Sequence, residues 1–205
     1  MLSSNSIQSV CVYCASSRVC DKAYFEAADR MGCELARNGI SLIYGGGGGG
    51  LMGCLADAAL REGGKVTGIL PMFMDELEWG HSRLTELILV DDMHERKRAM
   101  LDRADAVVAL PGGCGTLEEL FEAVAWKRLG LYLGPIALVN IRGFFDPCVT
   151  LLNRCVEEGF MDERHRSMWT VVDTPEAVVE ALRNAPEWHA KNRSFAVRGF
   201  TASAS

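Results

Sequence analysis

The sequence lacks long hydrophobic runs and long basic runs. No stretch approaches the roughly 18 consecutive apolar residues that indicate a membrane-spanning helix. No basic stripe exceeds a few residues, and 27 acidic against 21 basic side chains give a net charge of −6. This balance disfavours a protein that binds the phosphate backbone of nucleic acids. We therefore expect neither membranes nor nucleic acids as partners.

Targeting and metal-binding patterns are also missing. Residues 1–15 have no basic start and too short an apolar run for a signal peptide, which predicts a cytoplasmic location. The four histidines lack metal-ligand spacing, and no second CxxC accompanies Cys11 and Cys14. These two cysteines can form a redox or half-zinc motif, but they lie in a strand-like run where positions i and i+3 point to opposite faces. We interpret the eight cysteines as reduced and predict no metal site.

Seven apolar runs alternate with helix-like segments along the chain. Such alternation is typical of a parallel sheet with helices on both faces. The predicted strands are SVCVYCA, ISLIY, KVTGILP, LTELILV, DAVVAL, PIALVN and MWTVV. We predict an α/β fold with a doubly wound, mainly parallel sheet of about seven strands and helices on both faces, in a single domain over residues 1–185. Residues 186–205 show no pattern and are predicted to form a loose tail.

Two glycine-rich segments each follow a predicted strand and precede a predicted helix. They are YGGGGGGLMG at residues 44–53 and PGGCG at residues 111–115. In an open parallel sheet such loops form the ligand site, and helix N-termini there attract anions. The first loop lacks the Lys-Ser/Thr of a Walker A motif. The strand after it ends in Leu70 and Pro71 without the acid that binds a dinucleotide ribose, so we predict an anionic ligand other than NAD.

Two pairs of polar or charged residues allow both a structural and a functional interpretation. Thr116 and Glu119 have the spacing of a capping box, yet the helix of Glu119 is apolar on two sides, so this carboxyl can also face a crevice. Arg96 and Lys97 can form a solvated basic patch with buried stems. However, they lie at the edge and centre of an apolar helix stripe, where charge needs an anionic partner such as a ligand or Glu119. Ser16 remains open between a helix cap and a ligand contact.

Three motifs occur in order along the chain: YGGGxxGLMG at residues 44–53, DMHERK at 92–97 and PGGxGTxxE at 111–119. Their combination closely resembles the lonely-guy family, the cytokinin riboside 5'-monophosphate phosphoribohydrolases that are often mislabelled lysine decarboxylases. The similarity runs from about residue 9 to residue 160. It implies a Rossmann-like sheet, a homodimer, and hydrolysis of a nucleoside 5'-monophosphate, AMP included, to free base and ribose 5-phosphate. It implies no metal and no cofactor.

The resemblance also assigns site residues. Arg96 and Glu119 match the family's catalytic pair. The positions expected to bind substrate are Ser16, Gly45, Gly46, Gly47, Met93, Lys97, Gly112, Gly113, Gly115 and Thr116, the last three forming the phosphate loop. Two departures concern the loops: Ala15 replaces a usual glycine, and residues 48–49 are normally less glycine-rich.

The preferred base stays open, because the segment 72–83 that is expected to shape its pocket is irregular by pattern. Two alternative functions also remain. One is a general purine nucleoside 5'-monophosphate nucleosidase. The other is a non-catalytic nucleotide or cofactor carrier, which would not need the Arg96 and Glu119 pair.

Overall fold

A computed structural model describes residues 6–77 and 79–196 of the chain. The strands are β1 (Ser9–Tyr13), β2 (Ser41–Tyr44), β3 (Val66–Pro71), β4 (Glu86–Val90), β5 (Ala106–Ala109), β6 (Ile136–Val139) and β7 (Thr170–Val172). The α-helices are α1 (Lys22–Arg37), α2 (Gly50–Arg61), α3 (Met72–Glu76), α4 (Met93–Asp102), α5 (Cys114–Arg128), α6 (Asp146–Glu157) and α7 (Val178–Arg183). In this part of the chain, no helix has the length and hydropathy of a bilayer-spanning segment.

The seven strands form one sheet in the order β4-β3-β2-β1-β5-β6-β7, and every neighbouring pair is parallel. The predicted doubly wound α/β fold with seven strands is therefore confirmed. Strand β1 is central: Val12 is in register with Tyr44 on one side and with Val108 on the other. The chain winds outward from β1 in one direction and then returns to its other side at β5. The crevice beyond the carboxyl ends of β1 and β5 is the switch point where such sheets bind ligands.

Two hydrophobic clusters lie on opposite faces of the sheet. Alternate residues of β1 divide between them: Val10 and Val12 belong to the cluster under α1 and α2, whereas Cys11 and Tyr13 belong to the cluster under α4 and α5. Cys14 joins the first cluster, so the two cysteines of the CxxC lie on opposite faces, and both are buried. This confirms the interpretation of these cysteines as core residues. Burial of each large aliphatic side chain contributes roughly 1.5–3 kcal/mol to stability.

Two segments differ from the sequence-based expectation. Within the irregular segment 72–83, helix α3 forms directly after Pro71. The predicted loose tail instead begins with an ordered stretch, a 3₁₀ helix at Ala190–Phe195 that packs beside the buried Trp188. The Trp188 indole donates a hydrogen bond to the Lys127 carbonyl at 2.6 Å. Isolated aromatic residues anchor this stretch without any helical or strand periodicity, which is why the pattern did not reveal it; residues 197–205 lie outside the described residues.

Candidate active site

A cavity of about 710 Å³ opens at the switch point. Its walls come from the loop after β1, the glycine run after β2, the start of α4 and the loop that leads into α5. Nine of the twelve site residues assigned from the sequence line it: Ser16, Gly45, Gly47, Met93, Arg96, Gly113, Gly115, Thr116 and Glu119. The fold therefore brings the three motifs together around one space, although they are far apart in sequence.

The glycine run allows backbone and side chains to approach each other at the floor of this cavity. A Cβ atom at Gly45 would lie 1.9 Å from Nη2 of Arg96. At Gly50, φ is +61° and a Cβ atom would lie 2.4 Å from the carbonyl of Ser16. A Cβ atom at Gly53 would lie 2.3 Å from the carbonyl oxygen of Gly48. These positions require glycine because larger residues would clash with neighbouring loops or with Arg96.

Arg96 is held in place by backbone carbonyls. Helix α4 begins after Asp92, whose carboxylate accepts hydrogen bonds from two N–H groups of the first turn. One turn further on, the buried Arg96 guanidinium donates to the carbonyl of Ile69 at 3.1 Å and to that of Gly45 at 2.8 Å. Its Nη1 atom lies 3.7 Å from Oε1 of Glu119. The cation is therefore fixed at the carboxyl ends of β2 and β3 with one nitrogen directed to Glu119.

Glu119 is a buried carboxyl on the first turns of α5 that lines the cavity, with an exposed fraction of 5%. Burial raises its pKa to about 7, although the charge of Arg96 acts in the opposite direction. A carboxyl with such a pKa exchanges protons near neutral pH.

The N-terminus of α5 is open towards the cavity. The capping-box interpretation of Thr116 and Glu119 is wrong, because the helix begins two residues before Thr116 and its N-cap, Gly113, makes no side-chain capping bond. At this end of the helix, Leu117 is the first residue whose N–H has a backbone partner, and it donates to the Gly113 carbonyl at 3.0 Å. The preceding N–H groups and the helix dipole therefore face an anion site. By contrast, the loop after β1 covers the N-terminus of α2, where the Met52 N–H donates to the Ala15 carbonyl at 3.2 Å.

Three assigned residues do not line the cavity. Lys97 is buried, and its ammonium group pairs with Glu118 and, at 3.2 Å, with Glu122. The interpretation of Lys97 as part of a solvated basic patch is therefore wrong. Its ammonium group pairs with acids of α5, and the residue does not line the cavity. Gly46 has a φ of +75°, and a Cβ atom there would lie 3.2 Å from Cβ of Leu70. Gly112 makes room for the Thr116 side chain, whose Oγ1 would lie 2.1 Å from a Cβ atom there.

The loop after β1 carries a correction and an addition. Helix α1 is capped by Asp21, so the helix-cap interpretation of Ser16 is wrong, and Ser16 lies on the cavity wall. Arg18 also lines the cavity, and nothing in the sequence pattern pointed to it.

The sequence placed the segment 72–83 at the base pocket, but it did not identify which residues form an apolar wall of the cavity. This wall consists of Met52, Leu70, Met74 and Trp79. Two of these residues lie in the segment 72–83, which an antiparallel bridge between Gly47 and Gly80 attaches to the glycine run. The signal available in the sequence was the presence of large apolar side chains in a segment without periodicity.

Fold and site together define a doubly wound α/β protein with a cavity at its switch point that contains a buried arginine and glutamate pair. Comparison with known proteins makes this assignment specific. The profile of a family described as "Possible lysine decarboxylase" matches residues 52–182. The cytokinin riboside 5'-monophosphate phosphoribohydrolase LOG of Oryza sativa subsp. japonica is 40% identical over 87% of this chain and 74% of its own length. LOG7 of Arabidopsis thaliana, which has the same printed activity, is 39% identical over 87% of this chain and 81% of its own length.

Solved structures support the fold. The X-ray structure of TM1055 is 26% identical, with a TM-score of 0.67 over 84% of this chain and 96% of that chain. The molybdenum cofactor carrier protein of Chlamydomonas reinhardtii has the same TM-score at 18% identity, over 86% and 96% of the two chains. The chain belongs to the LOG family, also called the lonely-guy family.

The family description raises the question of pyridoxal phosphate, the usual cofactor of amino-acid decarboxylation. Such enzymes hold the cofactor through a lysine Schiff base. Within the described part of the chain, no lysine lines the cavity, and the ammonium group of Lys97 is paired with acids of α5. These residues do not fit pyridoxal phosphate. The described residues also contain no group of three or more His, Cys, Asp or Glu side chains arranged to bind a metal ion.

Proposed function

We propose that the protein hydrolyses the N-glycosidic bond of cytokinin riboside 5'-monophosphates, and of AMP, to free base and ribose 5-phosphate. The observation that carries this proposal is the pair of Arg96 and Glu119, with Nη1 and Oε1 3.7 Å apart beside an open helix N-terminus. The activity printed for the LOG relatives in rice and Arabidopsis supports the same reaction and substrate class.

The pair suits the charges that develop during cleavage of an N-glycosidic bond. Positive charge builds on the ribose while negative charge builds on the departing base. The Glu119 carboxylate stabilises the oxocarbenium-like sugar and orients either the ribose hydroxyls or the attacking water. Arg96 stabilises the leaving base. Both interactions are stronger in the transition state than in the ground state, and the carbonyls that hold Arg96 keep it in position beforehand.

The other walls of the cavity fit the remaining parts of a nucleotide. The free N–H groups at the start of α5, with the hydroxyl of Thr116 nearby, are placed to bind the 5'-phosphate. The apolar wall that includes Met74 and Trp79 provides a surface for the base and for an apolar substituent on it. A nucleoside without phosphate is therefore expected to be a poorer substrate than the corresponding nucleotide.

The test is chromatographic detection of free base after incubation with AMP and, separately, with isopentenyladenosine 5'-monophosphate. Glu119→Gln removes the charge with almost no change of shape and is expected to lower base release at least a hundredfold. Glu180→Gln, an exposed position on α7 without an ion pair in the described structure, is the matched control and should behave like wild type. Folded wild-type protein that binds AMP but releases no base would favour a carrier instead. Similar rates for AMP and the prenylated nucleotide would favour a general purine nucleotide nucleosidase.

We further propose that the protein works as a cytoplasmic homodimer without metal, cofactor, nucleic acid or membrane as partner. Eight free cysteines are typical of a reducing compartment, and the net charge of −6 opposes binding to polyanions. On and directly after α5, large apolar side chains are exposed: Phe121, Leu129, Leu131 and Leu133. Apolar groups concentrated on one element favour association with a second copy.

A further inference from the structure

Arg18 is a cation on the cavity wall that the catalytic pair does not use. It lies in the loop after β1 and is exposed to solvent. Within residues 6–77 and 79–196, no carboxylate or carbonyl accepts a hydrogen bond from it, although most arginines of the chain are engaged in ion pairs or carbonyl contacts. An arginine left without an anion beside a cavity is available to a ligand.

The position of Arg18 depends on a second residue, Gly49. A Cβ atom at Gly49 would lie 3.1 Å from Nε and 3.2 Å from Nη2 of Arg18. The backbone of Gly49 is extended, with φ of −111°, so glycine is not required there for conformational reasons. Instead, the absence of a side chain at Gly49 leaves room for the guanidinium to lie beside the glycine run. A Cβ atom at this position would require the guanidinium to shift by a few tenths of an ångström.

The charge balance of the cavity shows what Arg18 can add. Arg96 is engaged by two carbonyls and by Glu119, and Lys97 offsets the charge of Glu118. The charge of Arg96 is thus committed to Glu119 and the base, which leaves the partial positive charge of the α5 N-terminus for a doubly charged phosphate, and Glu119 opposes phosphate entry when ionised. A guanidinium can supply two parallel hydrogen bonds to phosphate oxygens as well as a full positive charge.

We propose that Arg18, seated on Gly49, is a specificity-determining residue that binds the phosphate of the substrate together with the N-terminus of α5. This inference deepens the proposed function and rests on it for the identity of the substrate. Arg18 selects nucleotides over nucleosides by phosphate recognition. It does not contact the bond that breaks.

The experiment compares kcat/KM for AMP and for adenosine in wild type, Arg18→Met, Arg18→Lys and Gly49→Ala. Arg18→Met should lower the AMP-to-adenosine ratio about tenfold, the effect of losing a hydrogen bond to a charged group. Arg18→Lys keeps the charge and should retain part of the preference. Gly49→Ala should lower the ratio in the same direction, and the double variant Gly49→Ala with Arg18→Met should resemble Arg18→Met alone because both act through one side chain. Val19→Ala, at a neighbouring position that is 94% exposed, controls for disturbance of the loop.

A ratio within twofold of wild type in Arg18→Met would overturn the proposal, as would equal losses for AMP and adenosine. Calorimetric titration with AMP and with adenosine separates this result from failure of the proposed function. If wild type binds AMP but releases no base, the proposed hydrolase function is wrong. The proposal about Arg18 then depends on binding: Arg18→Met should weaken AMP binding about tenfold more than adenosine binding. If wild type binds neither compound, both proposals are wrong.

Discussion

The Glu119 carboxyl is the residue on which the proposed chemistry depends most directly. Its pKa of about 7 lies well above the ordinary value of 4.5 because the group is buried. Below pH 7 the carboxyl is protonated and cannot stabilise a positively charged sugar. We therefore expect kcat/KM for AMP to rise about tenfold per pH unit up to about pH 7 and then to level off.

The substrate itself titrates near this range, because a phosphate monoester has a second pKa of about 6. Adenosine has no phosphate, so the same rise measured with adenosine assigns it to the enzyme. A flat profile between pH 5.5 and 8 with both compounds would contradict a catalytic carboxylate at Glu119.

The same pKa has a consequence for stability. A group whose pKa is raised on folding binds more protons in the native state than in the unfolded state at a pH between the two pKa values. The contribution of Glu119 to the free energy of unfolding therefore falls as pH rises from about 4.5 to about 7. Glu119→Gln removes this cost. At pH 8 we expect the variant to be more stable than wild type by roughly 1–3 kcal/mol, since the raised pKa already includes the attraction of Arg96.

Thermal unfolding of both proteins at pH 8 and at pH 5 tests this expectation. At pH 5 the native glutamic acid is neutral and the unfolded carboxyl has only begun to ionise, so the difference in Tm should be much smaller than at pH 8. A variant that is less stable than wild type at pH 8 would show that the ion pair outweighs the burial of the charge.

At the level of helices and strands, the sequence predicted most of the architecture. All seven strands were identified because parallel strands buried on both faces are continuous apolar runs, and β5 and β6 are buried throughout. The orientation of Lys97 could not be predicted in the same way. Adjacent residues on a helix point about 100° apart, so Arg96 and Lys97 belong to different surroundings, which only the packing of α4 against α5 defines.

The segment after residue 185 is the element that the sequence pattern described least well. Trp188 is buried and donates to the Lys127 carbonyl, and Phe195 lies beside it with ring centroids 5.8 Å apart. Removing a buried tryptophan costs roughly 3–5 kcal/mol, so Trp188→Ala should lower the free energy of unfolding by about that amount. Trp188→Phe, which keeps most of the packing but loses the hydrogen bond, should cost about 1 kcal/mol.

Urea denaturation measures both effects, with Trp79→Ala as the matched control because Trp79 is 57% exposed. The control should change stability by no more than about 0.5 kcal/mol. If Trp188→Ala were as mild as the control, the stretch 186–196 would not be anchored to the core.

For the whole molecule, the candidate site depends on topology as much as on motifs. The strand order places the ends of β1, β2 and β5 side by side, which brings motifs spread over residues 44–119 to one cavity. The sequence motifs identified the arginine, the glutamate and both glycine loops. They did not identify the apolar wall, because the contact of Trp79 and Met74 with the cavity depends on the bridge between Gly47 and Gly80 rather than on any local pattern.

The surface of the whole molecule leads to a prediction about assembly. Phe121 lies on α5, the helix that carries Glu119, and is exposed to the extent of 36%. A charge placed in an apolar interface is costly unless it is paired. We expect light scattering to give wild type a mass of about twice 22.4 kDa and Phe121→Glu a mass close to 22.4 kDa. Phe160→Glu, at a position that is 74% exposed after α6, should remain a dimer. A monomeric wild type at all concentrations would contradict the dimer, and a dimeric Phe121→Glu would place the interface on another face.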